Sequence, residues 1–271
     1  GRPSYARAAD LPFVPDLALL VTPTAVTVAL LDELGEAGLR HAVITTAGFE
    51  EAGAEGIREG ERLNAVAEKH GIRFIGPNCI GVLNTQHPFN STVLPTMTAP
   101  GPLSLISQSG TFVAQLPVQL KDKGIRYGKA ISIGNGTNID LVDGLLYLAA
   151  DPDTRAIALY IEGLGGLGRR FLEVAREVTR RKPVVALYVG STDAGARSGM
   201  SHTASIGGSD RIYDGVFEQA GVLRATSVAE LFDWSWALAN QPLPKGNRVA
   251  VLTHSGGPAT CMADECERRG M

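Results

Sequence analysis

Five turns of this chain follow apolar runs and combine glycine with polar side chains. Apolar runs of this length are typical of buried β-strands, so the turns are expected at the carboxyl ends of strands. A helix that begins directly after such a turn offers its first N–H groups and its positive dipole end to an anion. The turns lie at 107–111, 134–138, 162–163, 198–205 and 255–257.

Taken together, these turns are typical of a site that handles phosphate. Ser109 and Thr111 add hydroxyl donors to the first turn, and Gly134-Asn135-Gly136 repeats the arrangement after the next strand. Glu162 brings a carboxylate to the same edge. The fourth turn holds His202 among small residues, and imidazole is a good nucleophile at neutral pH.

His202 and Glu162 each admit an ordinary structural role as well. A histidine in a loop is commonly solvated or satisfied by a hydrogen bond, although the small neighbours of His202 leave it accessible. Glu162 follows an almost uninterrupted apolar strand, where an unmatched charge is costly. An imidazolium ion or an arginine would match it, so the residues alone leave both alternatives open.

Strands alternate with helices along the whole chain. The predicted strands are 16–21 (buried), 41–46, 72–75, 103–107, 129–133, 156–161, 184–189 and 248–253. The predicted helices are 24–38, 50–70, 111–123, 139–150, 169–181, 211–220 and 228–239. This alternation predicts parallel sheets with right-handed crossovers, which is a doubly wound α/β fold. Ligands of such sheets bind beyond the carboxyl ends of the strands.

Breaks rich in proline divide the chain into three predicted domains, 1–98, 99–242 and 243–271. The first break is the stretch 88–102, and the second is Pro242-Leu243-Pro244. Residue 1 is not methionine, and residues 265–271 are typical of a helix that ends at a glycine. We therefore expect the chain to be a piece of a longer protein.

The composition argues against several classes of protein. The 271 residues are 44% hydrophobic and 20% charged, which is typical of folded domains. No window reaches the roughly 18 consecutive apolar residues of a membrane span. A net charge of −3 argues against nucleic acid or an anionic membrane as a partner. Cys79, Cys261 and Cys266 lack metal or disulfide spacing, so a reducing cytoplasm and no metal site are expected.

The chain carries three motifs in order: Gly76-Pro77-Asn78-Cys79-Ile80-Gly81, Ser107-Gln108-Ser109-Gly110-Thr111 and Ser201-His202-Thr203. They resemble those of the NDP-forming acyl-CoA synthetases, the relatives of the succinyl-CoA synthetase α subunit and of ADP-forming acetyl-CoA synthetase. Thr45-Thr46-Ala47-Gly48-Phe49-Glu50-Glu51 looks like the second half of this family's CoA-binding domain. Gly134-Asn135-Gly136 and Tyr160-Ile161-Glu162-Gly163 also look like landmarks of this family. The resemblance extends over nearly the whole chain.

The resemblance implies a fold and a reaction. The fold would be a Rossmann-like CoA-binding domain, here without its first βαβ unit, followed by flavodoxin-like doubly wound domains. The reaction would be that of an acid–CoA ligase, which interconverts acyl-CoA, phosphate and ADP with a carboxylic acid, CoA and ATP. It would pass through an acyl phosphate and a phosphohistidine.

The resemblance also implies roles for individual residues. It places the phosphohistidine at His202, and at Glu162 a carboxylate that bonds the other ring nitrogen and fixes its tautomer. Cys79 would not act as a nucleophile, since the acyl group is activated as a phosphate. The residues implied to bind phosphate are Ser109, Gly110, Thr111 and Gly136. Those implied to lie at the CoA and acyl groups are Thr46, Gly48, Pro77, Asn78 and Cys79.

Substrates and partners follow from the implied reaction. Coenzyme A and a small carboxylic acid would bind to this chain. Pro88-Phe89-Asn90 and Phe112 follow the two relevant loops and are expected to shape the acyl pocket. ATP or ADP with Mg²⁺ would bind to an ATP-grasp part on a further segment or on a β subunit, so a homo- or hetero-oligomer is expected. Ala204 departs from the family, which usually has glycine after Ser-His-Thr, and a loop with positive φ there would have to differ.

Two other functions are alternatives to the ligase. A CoA-sensing regulatory module of a protein acetyltransferase would share the synthetase-like region, but such modules typically lack the phosphorylatable histidine that this chain retains. An NAD-dependent oxidoreductase is disfavoured because no Gly-x-Gly-x-x-Gly turn followed by an acidic ribose-binding residue occurs. Simple hydrolase and Walker motifs do not occur either.

Overall fold

The computed structural model of this chain describes residues 3–93, 99–114, 120–190 and 209–271. The strands in these residues are β1 (Ala18–Leu20), β2 (His41–Ile44), β3 (Arg73–Ile75), β4 (Val82–Asn84), β5 (Phe89–Asn90), β6 (Leu103–Ser107), β7 (Tyr127–Ser132), β8 (Ala156–Ile161), β9 (Val184–Tyr188) and β10 (Leu223–Ala225). The helices are α1 (Thr24–Glu36), α2 (Ala54–His70), α3 (Gly110–Ala114), α4 (Leu141–Ala150), α5 (Gly168–Thr179), α6 (Asp210–Ala220), α7 (Val228–Asn240) and α8 (Gly256–Arg268).

The first sheet of the described chain consists of β1, β2 and β3, which are parallel and adjacent in that order. These strands share an apolar core with α1 and α2, in which Leu31, Ile44 and Phe74 are fully buried. The predicted helix 50–70 is divided in two, because Gly53 adopts φ +86° between a 3₁₀ turn and α2. The sequence therefore predicts the βα alternation of this part correctly.

Strand β1 differs from its prediction as a buried strand over 16–21. It is only three residues long. Leu19 within it is 49% exposed, and the adjacent Val21 is 74% exposed. The physical reason is its place at the edge of the sheet, where β2 is its pairing partner among the described strands. The prediction of burial fails because an apolar run does not show how many neighbouring strands a strand will have in the sheet.

A second sheet has the strand order β10-β9-β8-β6-β7-β4-β5 within the described residues. One of its faces packs on α4, α5 and α6 through side chains such as Leu145, Phe171 and Phe217. The other face packs on α3 and α7 through side chains such as Val113 and Phe232. Helices cover both faces of a mainly parallel sheet, which confirms the predicted doubly wound α/β fold.

The hairpin β4–β5 and the edge strand β10 are elements that the sequence analysis does not predict. Strand β4 pairs antiparallel with β7, so the hairpin belongs to the second sheet although it lies within the first predicted domain, 1–98. These strands are two or three residues long. Runs this short carry too little hydrophobic periodicity to be recognised.

The two sheets meet where the segment after β3 forms hydrogen bonds with the last residue of β7 and with the turn that follows it. The Ser132 amide donates to the Gly81 carbonyl at 3.1 Å, and the Asn135 amide donates to the Pro77 carbonyl at 3.0 Å. Gly134 has φ +57°, and a Cβ there would lie 2.1 Å from the Pro77 carbonyl oxygen. Only glycine permits this backbone approach.

Residues Gln241–Met271 form a separate compact unit. Its regular element is α8, which begins after Ser255 and ends near the pairs that Glu265 makes with Arg268 and Arg269. The predicted strand 248–253 is wrong, since the described residues of this segment contain no strand. A strand needs a hydrogen-bonding neighbour, and this unit offers no second strand to pair with it.

The contact at Gly134 predicts a large cost for adding a single methyl group. Gly134→Ala is expected to lower the free energy of unfolding by about 1–3 kcal/mol, from the left-handed backbone and the collision with Pro77. The matched control is Gly215→Ala within α6, where a Cβ meets nothing within 4 Å. The control should be neutral or stabilising by up to about 1 kcal/mol. Chemical denaturation of both variants checks this, and equal midpoints would contradict it.

Candidate functional site

Three of the predicted turns lie side by side at one edge of the second sheet. Strands β8, β6 and β7 are adjacent and parallel, so their carboxyl ends bring together Glu162, Ser109 and Gly134 with their neighbours. This arrangement follows from topology alone, because a parallel sheet aligns the carboxyl ends of its strands. The edge therefore combines a carboxylate, hydroxyl groups and glycine turns.

Gln108 ties the first of these turns to Glu162. Its side-chain oxygen accepts the Glu162 amide at 2.6 Å and the Gly163 amide at 3.1 Å. Its side-chain nitrogen donates to the Gly163 carbonyl at 3.0 Å. The amide group thereby fixes the position of Glu162 relative to Ser109, a role that the sequence analysis misses although Gln108 stands inside a recognised motif.

Glu162 is buried, with 9% of its surface exposed, and an aromatic pair lies beside its strand. Tyr160 on β8 stacks on Phe112 with ring centroids 3.9 Å apart. Burial, together with the nearby Glu162 carboxylate, raises the pKa of Tyr160 to about 12. The tyrosine is therefore neutral at physiological pH and acts here as an apolar surface with a hydroxyl at its end.

The turn at Ser109 is closed on itself by Ser107. The Ser109 amide donates to Ser107 Oγ at 3.1 Å, and Ser107 Oγ donates to the Ser109 carbonyl at 2.6 Å. Helix α3 begins with the next residue, Gly110, whose Cβ would lie 2.5 Å from a methyl carbon of Ile80. The predicted anion site thus depends on the amides of Gly110 and Thr111 and on the side-chain hydroxyls, since the Ser109 amide is already used.

The predicted CoA and acyl residues lie together after β2 and β3. The Asn78 amide donates to the Thr46 carbonyl at 2.9 Å, which joins the two turns. Gly48, Gly76 and Asn78 all have positive φ, and Asn78 is the non-glycine residue among them. Asparagine tolerates this left-handed conformation better than most residues. The backbone here makes close approaches that side chains would obstruct.

Thr46 uses its hydroxyl within the fold. Thr46 Oγ1 donates to the Thr22 carbonyl at 2.7 Å and accepts from Thr27 Oγ1 at 3.2 Å. The hydroxyl is therefore engaged by the elements around it. Gly48 is held differently, because its amide donates to the Glu51 carboxylate at 2.5 Å.

Cys79 is a buried, neutral thiol. It is 3% exposed, and its Sγ donates to the Ile44 carbonyl at 3.3 Å. Burial raises the pKa of Cys79 to about 11. Because the thiolate is the nucleophilic form of cysteine, this environment agrees with the prediction that Cys79 is no nucleophile.

Asn135 joins the turn after β7 to both turns of the first sheet. Its side-chain nitrogen donates to Glu50 and Glu51 carboxylate oxygens, each at 2.7 Å. Its side-chain oxygen accepts from Asn78 Nδ2 at 3.2 Å. The sequence analysis misses all three contacts, and the signal that could direct attention to Asn135 is its position in the Gly134-Asn135-Gly136 turn.

Glu51 is ionised at neutral pH. Partial burial by itself would raise its pKa, but hydrogen bonds from the Asn135 side chain and from the Gly48 amide outweigh burial and lower it. The carboxylate thus carries a full negative charge between two donors. It sits beside the predicted CoA and acyl turns.

Two predicted positions fall outside the described residues, and a third lies on β5. His202 and Ala204 are in 191–208, which is outside the described residues, so the placement of His202 relative to Glu162 stays a prediction. Phe89, predicted to shape the acyl pocket, lies on β5 and lines a cavity of about 490 Å³ together with Val82, Ile131 and Tyr147. None of the catalytic or binding residues predicted in the described chain lines that cavity.

The described residues contain neither a metal-binding cluster nor a helix able to span a membrane. Among residues 3–93, 99–114, 120–190 and 209–271, no cluster of three or more histidine, cysteine, aspartate or glutamate side chains is placed to hold a metal ion. The helices within these ranges include none with the length and apolarity that a bilayer crossing requires.

The fold and the edge just described define the class of the chain. Residues 100–238 match the family described as succinyl-CoA ligase like flavodoxin domain, and the chain belongs to this family. Residues 1–85 match the CoA binding domain family. These matches confirm the resemblance inferred from the motifs and the predicted order of a CoA-binding part followed by a flavodoxin-like part.

Individual relatives agree with this assignment. The chain is 44% identical over 271 residues to the acetate–CoA ligase (ADP-forming) II subunit alpha of Pyrococcus furiosus, covering 100% of this chain and 59% of the relative. It is 39% identical to the acetate–CoA ligase (ADP-forming) I of Archaeoglobus fulgidus, covering 100% of this chain and 39% of that relative.

A solved structure is similar over the whole chain. It is the Ca. Korarchaeum cryptofilum dinucleotide forming acetyl-coenzyme A synthetase 1, in complex with phosphate and ADP. The TM-score is 0.92 at 37% identity, covering 100% of this chain and 58% of the other. The chain thus spans less than two thirds of the length of the relatives that it matches.

The environment of Cys79 predicts low reactivity. In the native chain at pH 8, alkylation of Cys79 should be at least about 100-fold slower than that of an ordinary thiol, because a pKa of about 11 leaves few thiolates and burial restricts access. The exposed Cys261 provides the internal control. Mass spectrometry after timed labelling measures both. Comparable native rates would contradict the prediction, and denaturation should equalise them.

The lowered pKa of Glu51 predicts an acid-dependent loss of stability. A depressed carboxyl pKa in the folded state stabilises the protein above the ordinary value near 4.5, and this contribution is lost as the pH falls through the lowered pKa. The stability difference between wild type and Glu51→Gln should therefore be larger at pH 7 than at pH 3. Denaturation series at both values measure it, with Glu177→Gln on exposed α5 as the control. An unchanged difference would refute this prediction.

Proposed function

We propose that this chain is the CoA-binding and phosphohistidine-bearing part of an NDP-forming acid–CoA ligase. The observation that carries the proposal is the single edge of the second sheet that holds Glu162, the Ser109 turn and the Gly134 turn, with the turn at Asn78 bonded to it. The relatives named above, which are acetate–CoA ligases, support the same assignment.

The proposed reaction has three steps. Phosphate attacks the thioester of acyl-CoA, releasing CoA and forming an acyl phosphate. An imidazole nitrogen of His202 then attacks phosphorus, so that a P–N bond forms as the P–O bond breaks and the carboxylate leaves. Finally ADP takes the phosphoryl group from the histidine and becomes ATP. The sum converts acyl-CoA, phosphate and ADP to acid, CoA and ATP.

Glu162 supports the histidine in the second step. Its carboxylate accepts a hydrogen bond from the ring nitrogen that does not attack, which fixes the tautomer and stabilises the positive charge that develops on the ring. Gln108 orients Glu162 by bonding the Glu162 and Gly163 amides. The amides of Gly110 and Thr111, the Ser109 hydroxyl and the Gly136 turn hold the phosphoryl oxygens.

Coenzyme A and the acid bind at the turns after β2 and β3 in this proposal. The left-handed backbone at Gly48, Gly76 and Asn78 leaves room for a ligand to approach the main chain closely. Cys79 remains a protonated packing residue beside them. The stacked Phe112 and Tyr160 provide an apolar wall for the acyl group, and the substrate class is a carboxylic acid.

The nucleotide half of the reaction belongs to a further part of the enzyme. We propose an ATP-grasp part that binds ADP or ATP with Mg²⁺ and that lies on another segment or on a β subunit. The relatives support both arrangements, because one is named a subunit alpha and another is a much longer single chain. Where the ATP-grasp part is a β subunit, the enzyme is a hetero-oligomer, and where it is a further segment, we propose a homo-oligomer.

A direct test is the phosphorylation of His202. The complete protein, with its ATP-grasp part, should form an acid-labile phosphoryl group on His202 when incubated with Mg-ATP, and ADP should discharge it. His202→Ala should abolish labelling, whereas His87→Ala, at an exposed turn, should leave it unchanged. Mass spectrometry under neutral conditions locates the group.

The outcomes separate the ligase from the CoA-sensing module. Labelling of His202 that is discharged by an acid together with CoA, with acyl-CoA as product, supports the ligase and allows a panel of acids to be compared. A protein that binds CoA but is never phosphorylated would exclude the phosphohistidine role and favour the sensor.

A further inference from the structure

We infer that Asn135 and Glu51 are positioning residues for phosphoryl transfer between the acyl phosphate and His202. They hold the turn after β3 (residues 76–81, the acyl turn) against the turn after β7 (residues 134–138, the phosphate turn). This inference rests on the proposed function and adds two residues to it. Neither residue was assigned a role by the motifs. Each acts through the turns that it joins, without contacting the transferred group.

Asn135 is the hub of the network because it bonds three side chains of the first sheet's turns. Its Nδ2 carries two hydrogens, and these are donated to Glu50 and Glu51 carboxylates at 2.7 Å each. Its Oδ1 accepts from Asn78 at 3.2 Å. Both hydrogens of the amide nitrogen and its oxygen are therefore used, and the residue is fixed in one orientation.

Glu51 extends the network to the next turn. One carboxylate oxygen accepts the amides of Gly48, at 2.5 Å, and Phe49, at 3.3 Å. The other oxygen accepts Asn135 Nδ2. The carboxylate thus connects the turn at Gly48, through Asn135, to the turn at Asn78, and it does so with charge-assisted hydrogen bonds, which are stronger than neutral ones.

The backbone brings the turns that this network joins into direct contact. The Asn135 amide donates to the Pro77 carbonyl, and Gly134 approaches the same carbonyl too closely for a Cβ. The acyl turn and the phosphate turn are therefore in direct contact, and under the proposed function their spacing would set the distance between the acyl and phosphoryl groups. A displacement of about 1 Å between reacting groups can slow a reaction about 100-fold.

The residue types have a specific donor and acceptor pattern. Asparagine at 135 faces two carboxylates with a donor, so Asn135→Asp would place a third carboxylate there. Glutamate at 51 accepts from three donors, the Gly48 and Phe49 amides and Asn135 Nδ2, so in Glu51→Gln the new NH₂ group would face an N–H donor on one side. The double variant, Glu51→Gln with Asn135→Asp, restores one donor and one acceptor at this contact and should recover part of the lost rate.

The test measures two partial reactions of the complete enzyme separately. The first is labelling of His202 by radioactive Mg-ATP, which needs neither acid nor CoA. The second is discharge of the isolated phosphoenzyme by acetate with CoA. Asn135→Ala and Glu51→Gln should be labelled at the wild-type rate but discharged on the order of 10- to 100-fold more slowly. Asn240→Ala and Glu177→Gln, both at exposed positions, are the matched controls.

Each result decides between distinct conclusions. Wild-type protein that is never labelled would remove the proposed function and this inference with it. Normal labelling and normal discharge in both variants would refute the positioning role alone. Equal losses in both partial reactions, with a lowered unfolding midpoint, would assign the network to stability and overturn the inference. If Asn135→Ala does not fold, Glu51→Gln is compared with the double variant Glu51→Gln with Asn135→Asp. The phosphoenzyme of Glu51→Gln should be discharged slowly, and the double variant should recover part of the lost rate.

Discussion

The close approach of two backbone turns is the constraint on which this edge of the molecule depends. The amide of Asn135 and the carbonyl of Pro77 lie at hydrogen-bond distance, and Gly134 beside them has no room for a Cβ. This contact joins the carboxyl end of a strand in the first sheet to that of a strand in the second. It brings the two α/β parts together, and the Glu50 and Glu51 side chains reinforce the contact by accepting hydrogen bonds from Asn135.

Around that contact, the side chains divide into those that fix turns and those that remain available for chemistry. The first group forms hydrogen bonds to backbone groups of the turns, and it comprises Ser107, Gln108 and Thr46. The side chains of Asn135 and Glu51 form hydrogen bonds with each other and with neighbouring turns. A site whose turns are held in this way is preorganised, because little reordering is needed when a ligand binds.

The sequence predicts the strands at the centre of the second sheet best. The bounds 103–107 and 156–161 agree with β6 and β8, since these strands are buried on both faces and read as continuous apolar runs. The hairpin β4–β5 escapes prediction because its strands are too short for a pattern. The predicted strand 248–253 fails for lack of a partner. Asn135 and Glu51 are 84 residues apart in the chain, and no local pattern reports such a pairing.

Glu51 and Cys79, which lie beside the turns of the proposed acyl site, are held in opposite ionisation states by their surroundings. Glu51 lies among hydrogen-bond donors and is a stable anion, whereas Cys79 lies among apolar groups and a carbonyl and keeps its proton. In the proposed ligase a thiolate at Cys79 would compete with coenzyme A for the acyl group, since both are sulfur nucleophiles. Burial removes that competition, and the acyl group is left to phosphate and CoA while the histidine accepts the phosphoryl group.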